Sequence, residues 1–209
     1  MRTLIFLLLA VQVQAQVIPT LQSRSRVPQT VAPVNDTIQV NFHKSTGGIG
    51  IMSTAGWNDV GWANGAVNPV SGNLNYTTGS ASGVTVSISQ INDYNDNGAT
   101  WGDGNTMGFP AASFRAGLYN TGTPRTLTFA NVPAGNYKLE IVSSRATTQT
   151  RPNTFAVGAV SQTVDAWNNL SNLVVLDNIS PTGSTLTVTI THTQGFNFIN
   201  ALRLIRYED

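Results

Sequence analysis

The segment from Thr185 to Ile205, TLTVTITHTQGFNFINALRLI, constrains the fold of this chain more than any other. Leu186, Val188 and Ile190 alternate with Thr187, Thr189 and Thr191. A period of two belongs to an extended strand with one face in a core and the other in water. Gln194-Gly195 interrupts the pattern as a turn. A second run follows from Phe196 to Ile205, apolar at both parities: Phe196, Phe198, Leu202 and Leu204 on one side, Ile199, Ala201 and Ile205 on the other. A strand apolar on both faces is expected in the middle of a sheet. The sequence ends at Asp209, so the expectation is a chain that closes a β-sheet core here, with no enzyme or sorting domain behind it.

Other short runs repeat the signal. Ile38–Phe42, Val84–Ile88, Arg125–Phe129, Tyr137–Val142, Thr154–Val157, Ser161–Asp165 and Leu173–Asp177 all read as strands. The turns between them are built from Pro, Gly and Asn, as in Val132-Pro133-Ala134-Gly135-Asn136 and Ile179-Ser180-Pro181-Thr182-Gly183. No helical period is sustained. His43–Gly83 and Asn92–Met107 show little regular pattern and read as long loops. Many short strands joined by tight turns predict an all-β fold, an antiparallel β-sandwich or jelly roll.

The first fifteen residues read as an export leader: Arg2 is the positive start, Leu4–Val11 the apolar run, and Val13-Gln14-Ala15 the small-residue cleavage site. The apolar run falls well short of the ~20 residues a membrane span requires. A secreted location is expected, extracellular or, in a bacterium, periplasmic. The chain has no cysteine, so neither disulfides nor a lipid-bearing cysteine accompany export. Residues 16–36, with three prolines and no periodicity, read as a flexible arm or linker, and 37–209 as a single β-sandwich domain. Removing Arg2 with the leader leaves basic and acidic residues balanced. With no basic stripe, nucleic acid is not an expected partner. Only about 10% of residues are charged, so solubility falls to Asn, Thr, Ser and Gly, groups that also suit sugar recognition.

Three pieces of sequence resemble the galactose-binding-like β-sandwich modules of secreted bacterial proteins, over roughly Thr37 to Arg206. They are Val132–Leu139, then Phe155-Ala156-Val157-Gly158 with Ala166-Trp167-Asn168-Asn169 and Asp177–Pro181, and the closing Phe198–Ile205. The resemblance implies a sandwich that binds carbohydrate through loops at one end or on a face, often with a structural calcium ion.

Candidate site residues follow from chemistry. Asp93-Tyr94-Asn95-Asp96-Asn97-Gly98 matches the opening of a calcium loop, in which oxygen ligands two residues apart share one side of a tight turn. The twelfth position is Gly104 rather than a glutamate, which rejects an EF-hand, and Asp103 stands one place earlier. Asp93, Asn95, Asn97 and Asp103 are the expected ligands; the other reading is a solvated turn. Sugar C–H faces stack on aromatic rings, so Trp57, Trp62, Tyr94 and Trp101, set among Asn and Asp, are the expected carbohydrate contacts; the other reading is packing. Trp167 is expected to pack. Arg145 and Arg151 flank a Thr-rich loop and read as solvent-exposed, with contact to an acidic sugar the alternative.

No catalytic constellation is recognised. His43 and His192 are far apart in sequence, and the only glutamates are Glu140 and Glu208, a poor basis for a triad, a zinc site or a glycosidase pair. The expected function is therefore non-catalytic: a stand-alone, lectin-like protein binding a polysaccharide or cell-surface glycan. The alternatives are an adhesive component that assembles with other protein chains through its arm and sheet edges, and a small polysaccharide-acting enzyme.

Overall fold

The computed structural model describes residues 36–45, 50–122 and 124–207. The expected leader (1–15), and the expected arm (16–36) apart from Asp36, lie outside the described residues.

Two five-stranded sheets stack face to face. The first runs β10 (Val174–Ile179), β7 (Tyr137–Val142), β13 (Ala201–Arg206), β1 (Thr37–Lys44), β2 (Trp57–Trp62). The second runs β3 (Thr85–Ile88), β6 (Arg125–Ala130), β11 (Thr185–His192), β8 (Pro152–Val157), β9 (Val160–Asp165). A smaller sheet, β12 (Asn197–Ile199), β5 (Ala116–Asn120), β4 (Asp93–Asp96), is separate from both. The chain is an all-β sandwich, as expected. Pairing is antiparallel except between β1 and β2, which run parallel. A four-residue helical turn, α1 (Ala112–Arg115), leads into β5.

The alternation read in the sequence is what fills the core. Leu186, Val188 and Ile190 of β11 face inward with Leu127 and Phe129 of β6, Val86 and Ile88 of β3, and Phe155 of β8. They meet Val40 and Phe42 of β1, Leu202 and Leu204 of β13, and Leu139 and Ile141 of β7. Burying each such side chain is worth about 1.5–3 kcal/mol. On the opposite face of the second sheet, Thr187 and Thr189 lie opposite Thr128 and Thr126, so β-branched threonine supplies strand propensity and water contact at once. That face needs no charge, which accounts for the low charge content.

β13 sits between β7 and β1, so the strand apolar on both sides is central. Its outer face is dry because residues 101–115 fold over it: Val142 and Ala201, register partners, pack with Met107, Phe109 and Phe114 in a second apolar cluster.

The Phe196–Ile205 run differs from the single strand expected. It divides at Asn200 into β12, in the small sheet, and β13, in the first large sheet. Ile199 and Leu202 both enter the main core although three residues apart. One residue of alternation is therefore lost at Asn200, and Phe198 moves to the other side. Slipping a strand by one residue exchanges its faces. The buried Asn200 side chain fixes the bend: its Nδ2 donates to the Ala116 carbonyl (2.9 Å), and its Oδ1 accepts from the Ser144 amide (2.7 Å). Gly117 makes room for it, since a Cβ there would lie 2.7 Å from Asn200 Nδ2.

Both segments expected as loops contain strands. His43–Gly83 holds β2, secured to β1 by polar side chains: Asn41 Nδ2 donates to Asp59 Oδ1 (2.6 Å) and Asn58 Nδ2 to the Gln39 carbonyl (2.9 Å). Asn92–Met107 holds β4.

Candidate functional site

The small sheet carries a cleft of roughly 200 Å³ lined by Tyr94, Asn95, Tyr119, Arg145, Thr147, Arg151, Phe196 and Phe198. Its floor follows from register. Phe198 of β12, Tyr119 of β5 and Asp93 of β4 lie directly opposite one another, so their side chains share a face. The Tyr119 ring stands 5.3 Å from Phe196, edge to face, and 6.0 Å from Phe198. The first is the edge-to-face arrangement that aromatic pairs favour, and the second pair is tilted at 42°. The β12–β13 bend is what turns Phe198 onto this face.

The wall is the segment after β7. Arg145 Cζ lies 5.6 Å from the Phe198 ring centroid, and Arg151 Cζ 5.5 Å from that of Phe196. Guanidinium groups over ring faces gain cation–π attraction. Asparagine side chains hold the Arg145 backbone in place. Asn200 takes the Ser144 amide, Asn97 Oδ1 takes the Ala146 amide (3.0 Å), and Asn168 Oδ1 takes the Thr147 amide (3.2 Å). Asn97 Nδ2 also donates to the carbonyls of Phe114 (2.7 Å) and Ser144 (3.2 Å). The Arg145 amide donates to Ala166 and its carbonyl accepts from Asn168, so Trp167 is bridged directly beside Arg145. Burial lowers the Arg145 pKa from its ordinary value; Tyr119 opposes that shift, and the like charge of Arg151 adds to it.

Of the four aromatic residues expected to contact sugar, the structure brings Tyr94 alone to the cleft, and its hydroxyl accepts the Trp62 amide (3.0 Å) while burial pushes its pKa above the ordinary range. Trp62 is a core residue, 6% exposed and 5.5 Å from Phe42, so it presents no face to a ligand. Trp57 packs edge-on to Phe109 at 5.6 Å. Trp101 also joins the second cluster and spends its Nε1–H on Ser144 Oγ (3.1 Å). The tryptophan expected to pack, Trp167, is instead 45% exposed. Tyr119, Phe196 and Phe198 were not singled out as ligand contacts; their signal is visible only once the strands are paired.

The four expected calcium ligands do not form an ion cage. Asp93 and Asn95 lie in an edge strand rather than a tight loop. Asn97 Oδ1 already accepts from Ala146 and from Asn95 Nδ2. Asp103 pairs with Arg115 at 3.6 Å. Among the described residues, no three Asp, Glu or His side chains gather as metal ligands. In this arrangement the four side chains do not present together the 6–8 oxygen ligands that calcium takes.

Carboxylate–histidine contact occurs elsewhere, without room for a substrate. His43 Nε2 stands 3.2 Å from Asp59 Oδ2, and Nδ1 donates to the Lys44 carbonyl (2.7 Å). Both ring nitrogens are engaged, and a Cβ at Gly61 would come within 2.5 Å of the ring. Glu140 pairs with Lys138 (2.9 Å) and Arg203 (3.5 Å). A wider groove, about 510 Å³, lies between the ends of β8, β9, β10 and β11, but its lining has no aromatic or charged side chain.

No protein-family profile matches the chain, and no curated protein matches its sequence. Solved structures do. β-Glucuronidase 2 of Bacteroides uniformis, covalently bound to cyclophellitol-6-carboxylate aziridine, is similar over 82% of this chain, with 11% identity and a TM-score of 0.51. The match covers 18% of that enzyme's chain. The module TmCBM61, in complex with β-1,4-galactotriose, is similar over 58% of this chain and 81% of its own (12% identity, TM-score 0.34). A family 35 carbohydrate-binding module from Clostridium thermocellum is similar over 57% and 90% (14% identity, TM-score 0.33). The chain is thus an all-β sandwich similar in fold to a domain of a β-glucuronidase, with weaker likeness to two carbohydrate-binding modules.

Proposed function

We propose that this protein is an exported, non-catalytic glycan-binding sandwich whose ligand lies in the cleft of the small sheet. The observation that carries this reading is the convergence of the part-exposed rings of Tyr119 and Phe196 with Arg145 and Arg151 around one concavity, with Phe198 buried beneath them. Aromatic surface beside fixed polar donors is how a protein grips a sugar, with C–H faces on rings and hydroxyls on hydrogen-bond donors. The cleft is smaller than the ~300–1,000 Å³ of a pocket that encloses a small molecule. That size suits a surface site holding one unit of a polymer, and half-exposed Trp167 beside Arg145 extends it. The leader read at residues 1–15 would place the protein outside the cytoplasm, where polysaccharides and cell-surface glycans are met. The fold likeness to carbohydrate-binding modules agrees with this reading without carrying it.

The test is a glycan array with the chain lacking residues 1–15, repeated with Tyr119→Ala and Phe196→Ala. Binding to one glycan class, lost in both variants while their circular dichroism spectra stay unchanged, is the expected result. A blank array together with concentration-dependent oligomers would move the reading to an adhesive component. Turnover of any polysaccharide would make the protein an enzyme.

A further inference from the structure

We propose that the cleft selects anionic glycans, with Arg145 and Arg151 together receiving a carboxylate or sulfate group carried by a sugar unit. This inference rests on the glycan-binding reading and names the substrate class of the same site.

The basis is an imbalance of charge that the sequence total conceals. Arg115, Arg203 and Arg206 each have a carboxylate within 3.6 Å: Asp103, Glu140 and Asp36. Arg125, Arg145 and Arg151 pair with no carboxylate among the described residues, and the last two line one small cleft. Asp165, the carboxylate bonded to this segment, forms an ion pair with neither arginine: its Oδ1 accepts the backbone amides of Arg151 (2.7 Å) and Trp167 (2.9 Å). Asp93 shares the face of Tyr119 but forms an ion pair with neither arginine.

Arg145 itself is under-satisfied. Its Nη1 is buried without a hydrogen-bond partner, and a buried donor left unmade is costly. The surrounding backbone is fixed by Asn97, Asn168 and Asn200, which sets where the Arg145 side chain leaves the chain. Arg151 is partly engaged, donating to the Thr150 carbonyl (3.2 Å) and to Gln149 Oε1. The two guanidiniums repel each other, and an anion between them removes that repulsion and accepts charge-assisted hydrogen bonds from the guanidinium nitrogens that reach solvent. Arg125, 1% exposed and with its three guanidinium nitrogens unpartnered, is a further cation without a carboxylate among the described residues. In a neutral glycan site, two such guanidiniums would be left uncompensated beside aromatic rings.

The experiment uses the chain lacking residues 1–15 and calorimetric titration with four probes: an oligogalacturonide, the same oligomer fully methyl-esterified, a sulfated galacto-oligosaccharide and a single-stranded oligonucleotide. The expected result is binding of the free acid about tenfold to a hundredfold tighter than the ester, the range of one charge-assisted hydrogen bond. That preference should disappear in Arg145→Gln and shrink in Arg151→Gln. Because the Arg151 side chain lies at the surface, its variant serves if Arg145→Gln unfolds. Arg151→Lys, which keeps the charge, should restore part of the preference. The sulfated probe ranks the two anions; tight binding of either, lost with the arginines, supports the proposal. Equal affinity for acid and ester overturns it and leaves the glycan reading standing. Failure of every sugar to bind overturns both. Oligonucleotide affinity matching that of the acid overturns selection for glycans.

Discussion

Asn200→Ala should be among the most damaging changes to a polar residue in this chain. The side chain is buried and both ends of its amide are occupied, by the Ala116 carbonyl at 2.9 Å and the Ser144 amide at 2.7 Å. Truncation orphans two backbone groups, each costing about 1–3 kcal/mol when water cannot reach it. Partial entry of water brings the expected loss to about 3 kcal/mol. For a urea dependence of about 2 kcal/mol per molar, the unfolding midpoint falls by about 1.5 M with an unchanged slope. Asn200→Asp sharpens the test. It keeps the acceptor for Ser144 but sets a second oxygen against the Ala116 carbonyl. Its loss should equal or exceed that of alanine at pH 7, and should shrink as the pH falls and the carboxyl gains a proton to donate. Equilibrium urea unfolding of both variants at pH 4.5 and 7 provides the readout. A loss below about 1 kcal/mol for alanine, or an aspartate variant indifferent to pH, would refute the assignment of Asn200 as the fastener of the bend.

Three further outcomes are expected. Arg125→Met removes a buried guanidinium whose pKa burial pulls down to about 9, so it should raise stability by about 1 kcal/mol or more in thermal unfolding; a fall would reveal an unrecognised partner. Burial pushes the Tyr137 hydroxyl up to about 12, and that group's contribution is fully present below pH 10 and lost as pH rises from 10 to about 12. Tyr137→Phe should flatten the alkaline loss of stability, and an unchanged profile would exclude this group as its source. Adding a chelator should leave the melting temperature within about 1 °C, because a bound metal stabilises a fold by mass action; a clear drop would mean that an ion is held, and substitution of Asp93 and Asp103 would tell whether the expected ligands hold it.

Strands with clean alternation were readable from the sequence, Tyr137–Val142 and Thr185 onward above all, because burial on one face leaves a period of two whatever the partners are. β2 was not readable. Trp57-Asn58-Asp59-Val60-Gly61-Trp62 lacks an apolar period, and its place beside β1 rests on side-chain bonds from Asn41 and Asn58 that only the fold creates. β4 was hidden by its composition, since Asp-Tyr-Asn-Asp has the residues of a turn. The cleft was hidden for a different reason. Phe196 and Phe198 read as core by parity, and only the residue lost from the alternation at Asn200 moves Phe198 out of the main core to lie buried beneath the small-sheet cleft, with Phe196 part-exposed beside it. Arg145 and Arg151, read chiefly as solvated charges, acquire their setting from rings some fifty residues further along the chain.

The β12–β13 bend also bears on how such a protein can change its ligand. The floor of the cleft and the central strand of the first sheet are one stretch of chain, joined through a single buried asparagine with no intervening loop. An insertion or deletion there would drag the core out of register along with the site. Specificity is therefore free to diverge by exchange of side chains at Tyr119, Phe196 and the residues around Arg145–Arg151, and by lengthening the segment between Arg145 and Arg151, while the backbone beneath stays unchanged. A library that varies the proposed site should change those positions and leave Asn200 and Gly117 alone.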